Sequence, residues 1–165
     1  MELDNQSTRQ TYVHLLIDTL WRKSEVLHDL MELTEQQDRI LSAESFDDRC
    51  FTQSMDAKEE KIQLLTKLDD GFEKVYESIR LELIDNKEKY PSEINRLKKL
   101  ITSITDCNVK IQAMESRNKV KLELILSRKR KDVKNSRMSS KTVSNYYKNM
   151  AKLHEGESFF YDKKN

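Results

Sequence analysis

Proline and glycine are nearly missing from this chain. In 165 residues there is one proline, Pro91, and there are two glycines, Gly71 and Gly156. These residues end helices and build tight turns. Their scarcity excludes a sheet with many hairpins and leaves a few very long helices. No apolar run approaches the ~20 residues of a membrane span, so no membrane insertion is expected. The N-terminus, MELDNQSTRQ, has no basic patch ahead of an apolar core, so it does not read as a secretory signal. Cys50 and Cys107 lack C-x-x-C spacing. They are expected as small buried apolar residues in a reducing cytosol, not as a disulfide or a metal pair.

The residues of catalysis are also missing. There is no glycine-rich phosphate loop and no G-x-S-x-G elbow. His14, His28 and His154 lie far apart in sequence. Glu25-x-x-His28 matches one element of di-iron helical bundles, but such sites need a second copy, and none exists here. No enzyme activity, cofactor or metal is expected.

Charge, by contrast, is abundant, at 36% of residues against the usual quarter. The net +1 conceals a split. Residues 1–86 hold 10 Lys+Arg and 20 Asp+Glu, net −10, and residues 87–165 hold 20 and 9, net +11. Two explanations fit: the acidic part folds back on the basic part, or the basic half binds an acidic partner. The densest basic run is Arg128-Lys129-Arg130-Lys131, with Lys134 and Arg137 beyond it. It could neutralise several phosphates. Asp132 interrupts it and no nucleic-acid motif accompanies it, so a solvated helix end is the simpler meaning.

Three amphipathic stripes organise the chain. The first helix is expected to start at Ser7, where Ser7-x-x-Gln10 can form a capping box. Its stripe is Val13, Leu16, Leu20, Lys23, Leu27, Leu30, Thr34, Gln37 and Leu41, with Ile17, Trp21, Met31 and Ile40 beside it. The pattern breaks at Ser42–Phe46. Ser45 reads as the next N-cap, with Asp47 and Asp48 in the first turn near the positive end of the helix dipole. The second stripe is Phe51, Met55, Lys58, Ile62, Leu65, Asp69, Phe72, Tyr76, Ile79 and Leu83, ending near Asn86 and widened by Leu64, Leu68 and Val75. It keeps phase across Asp69-Asp70-Gly71, so the helix is expected to continue through the glycine, with a close neighbouring helix as one reason for it. Pro91 marks the next turn, since proline suits a first helical turn and disfavours helix just before it.

The third stripe is Leu97, Ile101, Ile104, Cys107, Ile111, Met114, Asn118, Leu122 and Ile125, in a helix continuing to about Lys134. At ~1.5 Å per residue these helices span roughly 50–65 Å. Short connections force antiparallel neighbours. The expected fold is all-α: an antiparallel up-down-up bundle of three long helices over residues 1–134. Residues 135–165 follow as a basic linker, a short amphipathic helix and an aromatic tail.

That short helix is expected over Lys141–Leu153, with Val143, Tyr146, Tyr147, Met150 and Leu153 on one side and Gly156 as its stop. It has few bulky apolar anchors for a membrane surface. The tail EGESFFYDKKN sets Phe159, Phe160 and Tyr161 side by side. Tyr and Met suit docking of partner helices, because Tyr joins a large body to a polar tip and Met adapts its shape. Two readings stay open here: packing back on the bundle, or binding another protein.

Several segments resemble one family. Met55–Leu83 (MDAKEEKIQLLTKLDDGFEKVYESIRLEL), Ile101–Lys119 (ITSITDCNVKIQAMESRNK), Ser139–Met150 (SSKTVSNYYKNM) and the ending FFYDKKN are similar to FlgN-like flagellar export chaperones. The resemblance implies a small cytosolic helical protein. Such a protein holds hook-filament junction proteins by their C-terminal helical segments and delivers them to the export gate of the flagellar type III apparatus. It further implies a substrate-binding C-terminal part, here Val143, Tyr146, Tyr147, Met150, Leu153, Phe159, Phe160 and Tyr161. A gate-docking tyrosine would be Tyr146 or Tyr147.

A filament-cap export chaperone and a structural coiled-coil adaptor are the alternatives. Lys23, Lys58, Asp69 and Asn118 interrupt the stripes and argue against a long uniform dimer seam, although polar core positions also set register, and a weak homo-oligomer stays compatible.

Overall fold

The computed structural model describes residues 2–129 and 143–151, and all its regular structure is helical. Helix α1 runs Glu2–Ser42, α2 runs Asp48–Asp85 and α3 runs Pro91–Lys129, with a 3-10 turn at Lys87–Lys89 between α2 and α3. Residues 143–151 form a further short helix, α4. No strand occurs among the described residues.

Helix α1 starts five residues before Ser7. Nothing from Glu2 to Gln6 breaks a helix, and the acidic residues there suit the positive end of the dipole. Ser7 is therefore interior, and its carbonyl accepts from the Thr11 hydroxyl at 2.9 Å. The cap of α2 is Asp47 instead of Ser45: its carboxylate accepts from the Cys50 N–H at 3.0 Å, in extended backbone geometry. That hydrogen bond, more than any other cause, holds the Asp47 carboxyl below its usual range. Cys50 faces solvent in that first turn, whereas Cys107 is buried as expected.

Helix α2 passes through Gly71 unbroken. No neighbour explains this glycine, because a Cβ built on it meets nothing within 4 Å. Pro91 opens α3, where its missing N–H costs nothing. The Tyr90 carbonyl ahead of it accepts from the Ile94 N–H at 3.0 Å. The Tyr90 ring is buried and closes this end of the core.

Helix α1 is the axis of the molecule. Helices α2 and α3 each pack along it, while their backbones stay apart and side chains such as Lys58 and Glu115 meet between them. Along α1 and α2 the partners run in opposite order: Arg9 meets Glu82 at 3.1 Å, Lys23 meets Asp69 at 2.7 Å, and Asp29 meets Lys61 at 3.0 Å. Along α1 and α3 they run in the same order: Thr34 approaches Glu115, and Asp38 meets Lys121.

Every member of the main α1 stripe, from Val13 to Leu41, is buried, including Lys23, Thr34 and Gln37. Burial of its leucines is the main stabilising term, at ~25 cal/mol per Å² of apolar surface removed from water. Trp21 departs from expectation and is 54% exposed. Two long helices cover only part of the circumference of α1, and Trp21 lies beyond their reach.

A candidate helix-docking site over a buried polar cluster

One end of the bundle carries an unusual core. There α1 contributes Thr34 and Gln37, α2 contributes Ser54 and Lys58, and α3 contributes Glu115 and Asn118, all buried. Lys58 is fully buried and its Nζ is in ion-pair contact with Glu115 Oε1. The same Nζ donates to Gln37 Oε1 at 2.9 Å, and Gln37 Nε2 donates to Ser54 Oγ at 3.1 Å. Asn118 Nδ2 donates to the Thr34 carbonyl at 3.1 Å. Thr34 Oγ1 donates to the Leu30 carbonyl at 2.7 Å and lies 3.3 Å from Glu115 Oε1. Burial pushes the Lys58 ammonium down, to about 6. The carboxyl in contact with it acts in the opposite sense and favours the charge.

Helix α4 lies over this cluster. Val143, Tyr146 and Met150 are buried and Tyr147 is half-buried. The Tyr146 hydroxyl reaches the polar floor, 3.2 Å from Gln37 Oε1 and 3.3 Å from Glu115 Oε1, and its ring centroid lies 5.2 Å from Lys58 Nζ. One tyrosine thus touches α1, α2 and α3 at once. Burial pushes the Tyr146 phenol far above its ordinary range, so it stays a donor. Met150 lends its carbonyl to Gln112 Nε2 at 3.5 Å. Tyr147 packs edge-on against Tyr146 at 5.0 Å between centroids, and its ring takes Lys119 Nζ at 5.5 Å. Beside it a crevice of about 660 Å³ opens between α3 and α4, lined by Lys119, Glu123, Leu126, Tyr147 and Lys148.

Four of the eight residues expected to bind a partner, Val143, Tyr146, Tyr147 and Met150, therefore meet on α4. Leu153, Phe159, Phe160 and Tyr161 lie outside the described residues. So do Arg130, Lys131, Lys134 and Arg137 of the basic run. Within that run, Lys129 places its Nζ 4.7 Å from the Phe46 ring centroid. His28 is exposed, and no group of three or more metal-ligating side chains occurs among the described residues.

Glu115 is the residue of this buried cluster that the periodicity passed over. It stands four after Ile111, as Met114 stands three after it, and both spacings continue the stripe. Apolarity favoured Met114, which is half-buried, while Glu115 is inside. The available signal was the matching set of polar intrusions, Lys58 and Asn118, which call for a partner on the facing helix.

No described helix is long and apolar enough to cross a membrane. No curated protein and no solved structure matches the chain. A family model described as FlgN protein matches residues 12–155, a span that takes in all of α2, α3 and α4 and most of α1. The chain belongs to the FlgN family of flagellar export chaperones.

Proposed function

We propose that this protein is a cytosolic carrier for hook-filament junction proteins, an up-down-up bundle that binds their C-terminal helical segments and brings them to the type III export gate. Residues 1–134 form the bundle. Residues 135–165 form the working arm, with Val143, Tyr146, Tyr147, Met150 and Leu153 as a binding strip and Phe159, Phe160 and Tyr161 as a second anchor. The observation that carries this reading is the span of the family match, which runs on through α4 to residue 155. Tyr147 is the better presented of the two candidate gate-docking tyrosines, since Tyr146 is inside and Tyr147 is half-buried.

Cargo binding by this strip is coupled to undocking, because Val143, Tyr146 and Met150 face the bundle. A strip exposed in only a fraction of molecules binds with an affinity reduced by that fraction. Moderate affinity suits a carrier that must let go.

Deleting residues 139–165 tests the assignment. The truncated chain should keep the circular dichroism of a helical bundle and lose junction-protein recovery in a pull-down. Retention of cargo by the truncated chain would refute the placement of the site.

A further inference from the structure

We propose that the seat of α4 is a helix-accepting slot whose polar floor selects a hydrogen-bond donor. It takes an incoming amphipathic helix that carries a donor-tipped side chain, with apolar residues three before and four after it.

The spacing is that of the resident helix. Val143 and Met150 flank Tyr146 at those positions, and all three are buried. The floor is built from three helices, Gln37 of α1, Lys58 of α2 and Glu115 of α3, so it exists before α4 arrives. An apolar tip placed there leaves Gln37 Oε1 and Glu115 Oε1 facing a group that donates nothing. Losing a hydrogen bond to a charged acceptor weakens binding about tenfold or more.

The resident does not complete the floor. Glu115 Oε2 is buried and has no hydrogen-bond partner among the described residues. A buried carboxylate oxygen left this way is costly. Tyr146 brings one O–H, which is spent toward Gln37 Oε1 and Glu115 Oε1. The slot therefore holds its own helix with a deficit, and a helix from outside can compete for it. The competition is against a helix of the same chain, whose intramolecular docking a free helix must outcompete. Only a helix of matching chemistry displaces it. This deepens the proposed function and rests on its premise that cargo presents helical segments.

The probe is a fluorescent peptide of residues 139–155, in its native form and with Tyr146→Phe. The receptors are the full-length chain and the full-length chain carrying Tyr146→Ala and Met150→Ala, which loosens the resident. The loosened chain should bind the native peptide about tenfold more tightly than the phenylalanine peptide. It should also bind the native peptide at least tenfold more tightly than the unaltered chain does. Equal or tighter binding of the phenylalanine peptide overturns donor selection. Equal binding by the two receptors overturns the slot as the place of binding. Should the double variant lose its helical signal, Tyr146→Phe alone serves as receptor, with the same order of peptides expected. A junction protein that binds while both peptides fail removes the slot and leaves the carrier function standing. Peptides that bind as expected while no junction protein does uphold the slot and remove the carrier function.

Discussion

Lys58→Met should destabilise the chain far more than an exposed lysine would. Lys58 has no exposure and Glu115 has 3%. The substitution keeps volume and apolar stem but strands a carboxyl whose Oε2 already has no donor among the described residues. Breaking one side of a buried pair costs ~3–5 kcal/mol. For a chain of this length that corresponds to a fall in thermal midpoint of roughly 6–20 °C. Glu115→Met should cost a comparable amount, since it removes the buried partner of Lys58 and leaves Gln37 Oε1 as the acceptor at 2.9 Å. The double variant Lys58→Met/Glu115→Met should return to within ~1 kcal/mol of the parent, because well-packed apolar replacements of a buried pair are commonly neutral or stabilising. Tyr146 keeps Gln37 Oε1 at 3.2 Å in that variant, so its hydroxyl is not orphaned. Urea unfolding followed by far-ultraviolet circular dichroism reads all four corners of the cycle, with a constant slope required for the comparison. Single variants costing under ~1 kcal/mol, or single costs that simply add in the double, would refute the view of this pair as desolvated and mutually dependent.

Three further outcomes follow from the same geometry. In the parent, burial holds the Lys58 ammonium down to about 6; Glu115→Gln removes the carboxyl that favours its charge and leaves that burial unopposed, so the folded value stays well below the unfolded ~10.4. Between these values the unfolded state binds more protons, so unfolding free energy should rise with pH, by up to ~1.4 kcal/mol per unit, and fall as pH drops toward 6; equal urea midpoints at pH 7 and pH 9 would contradict this. Tyr146→Phe should loosen α4 by ~1–2 kcal/mol, seen as about a tenfold loss of amide hydrogen-exchange protection confined to residues 143–151, with α1 to α3 unchanged. Gly71→Ala should stabilise by ~1 kcal/mol, because the site is helical and the added Cβ meets nothing within 4 Å; an unchanged or lower urea midpoint would show that Gly71 has a role in the fold.

The long helices were legible because each stripe is a local record of inside and outside. Every α1 stripe position proved buried, down to the polar Lys23, Thr34 and Gln37. The breaks were legible too, at Ser42–Phe46 and at Pro91, since phase and proline report on the chain a few residues at a time. What escaped depends on neighbours. Ser45 and Asp47 are both good caps, and only the entry angle of the chain chooses between them. Trp21 sits beside the stripe, and its exposure depends on how many helices surround α1. Met114 and Glu115 are equally in phase, and the choice falls to Lys58, a residue of another helix. The residues of α4 were legible as a set, but their present contacts were not, because a single amphipathic face carries no mark of whether its own bundle or another protein covers it.

A bundle shaped for stability alone would fill the space beneath α4 with leucine. Here Lys58, Glu115, Gln37 and Thr34 are buried under it instead, at a desolvation cost that their mutual contacts only partly offset, as Glu115 Oε2 attests. That cost has a direction. Were α4 to lift away, as the proposed function requires, the floor would meet water and the ion pair would regain hydration. An apolar floor would gain nothing from water and would resist opening by its full buried area. On the proposed mechanism the polar floor would narrow the free-energy gap between docked and undocked forms, while the Tyr146 hydroxyl, 3.2 Å from Gln37 Oε1, would keep the docked form specific. On that mechanism the residues that weaken the core are those that would let its cover be removed.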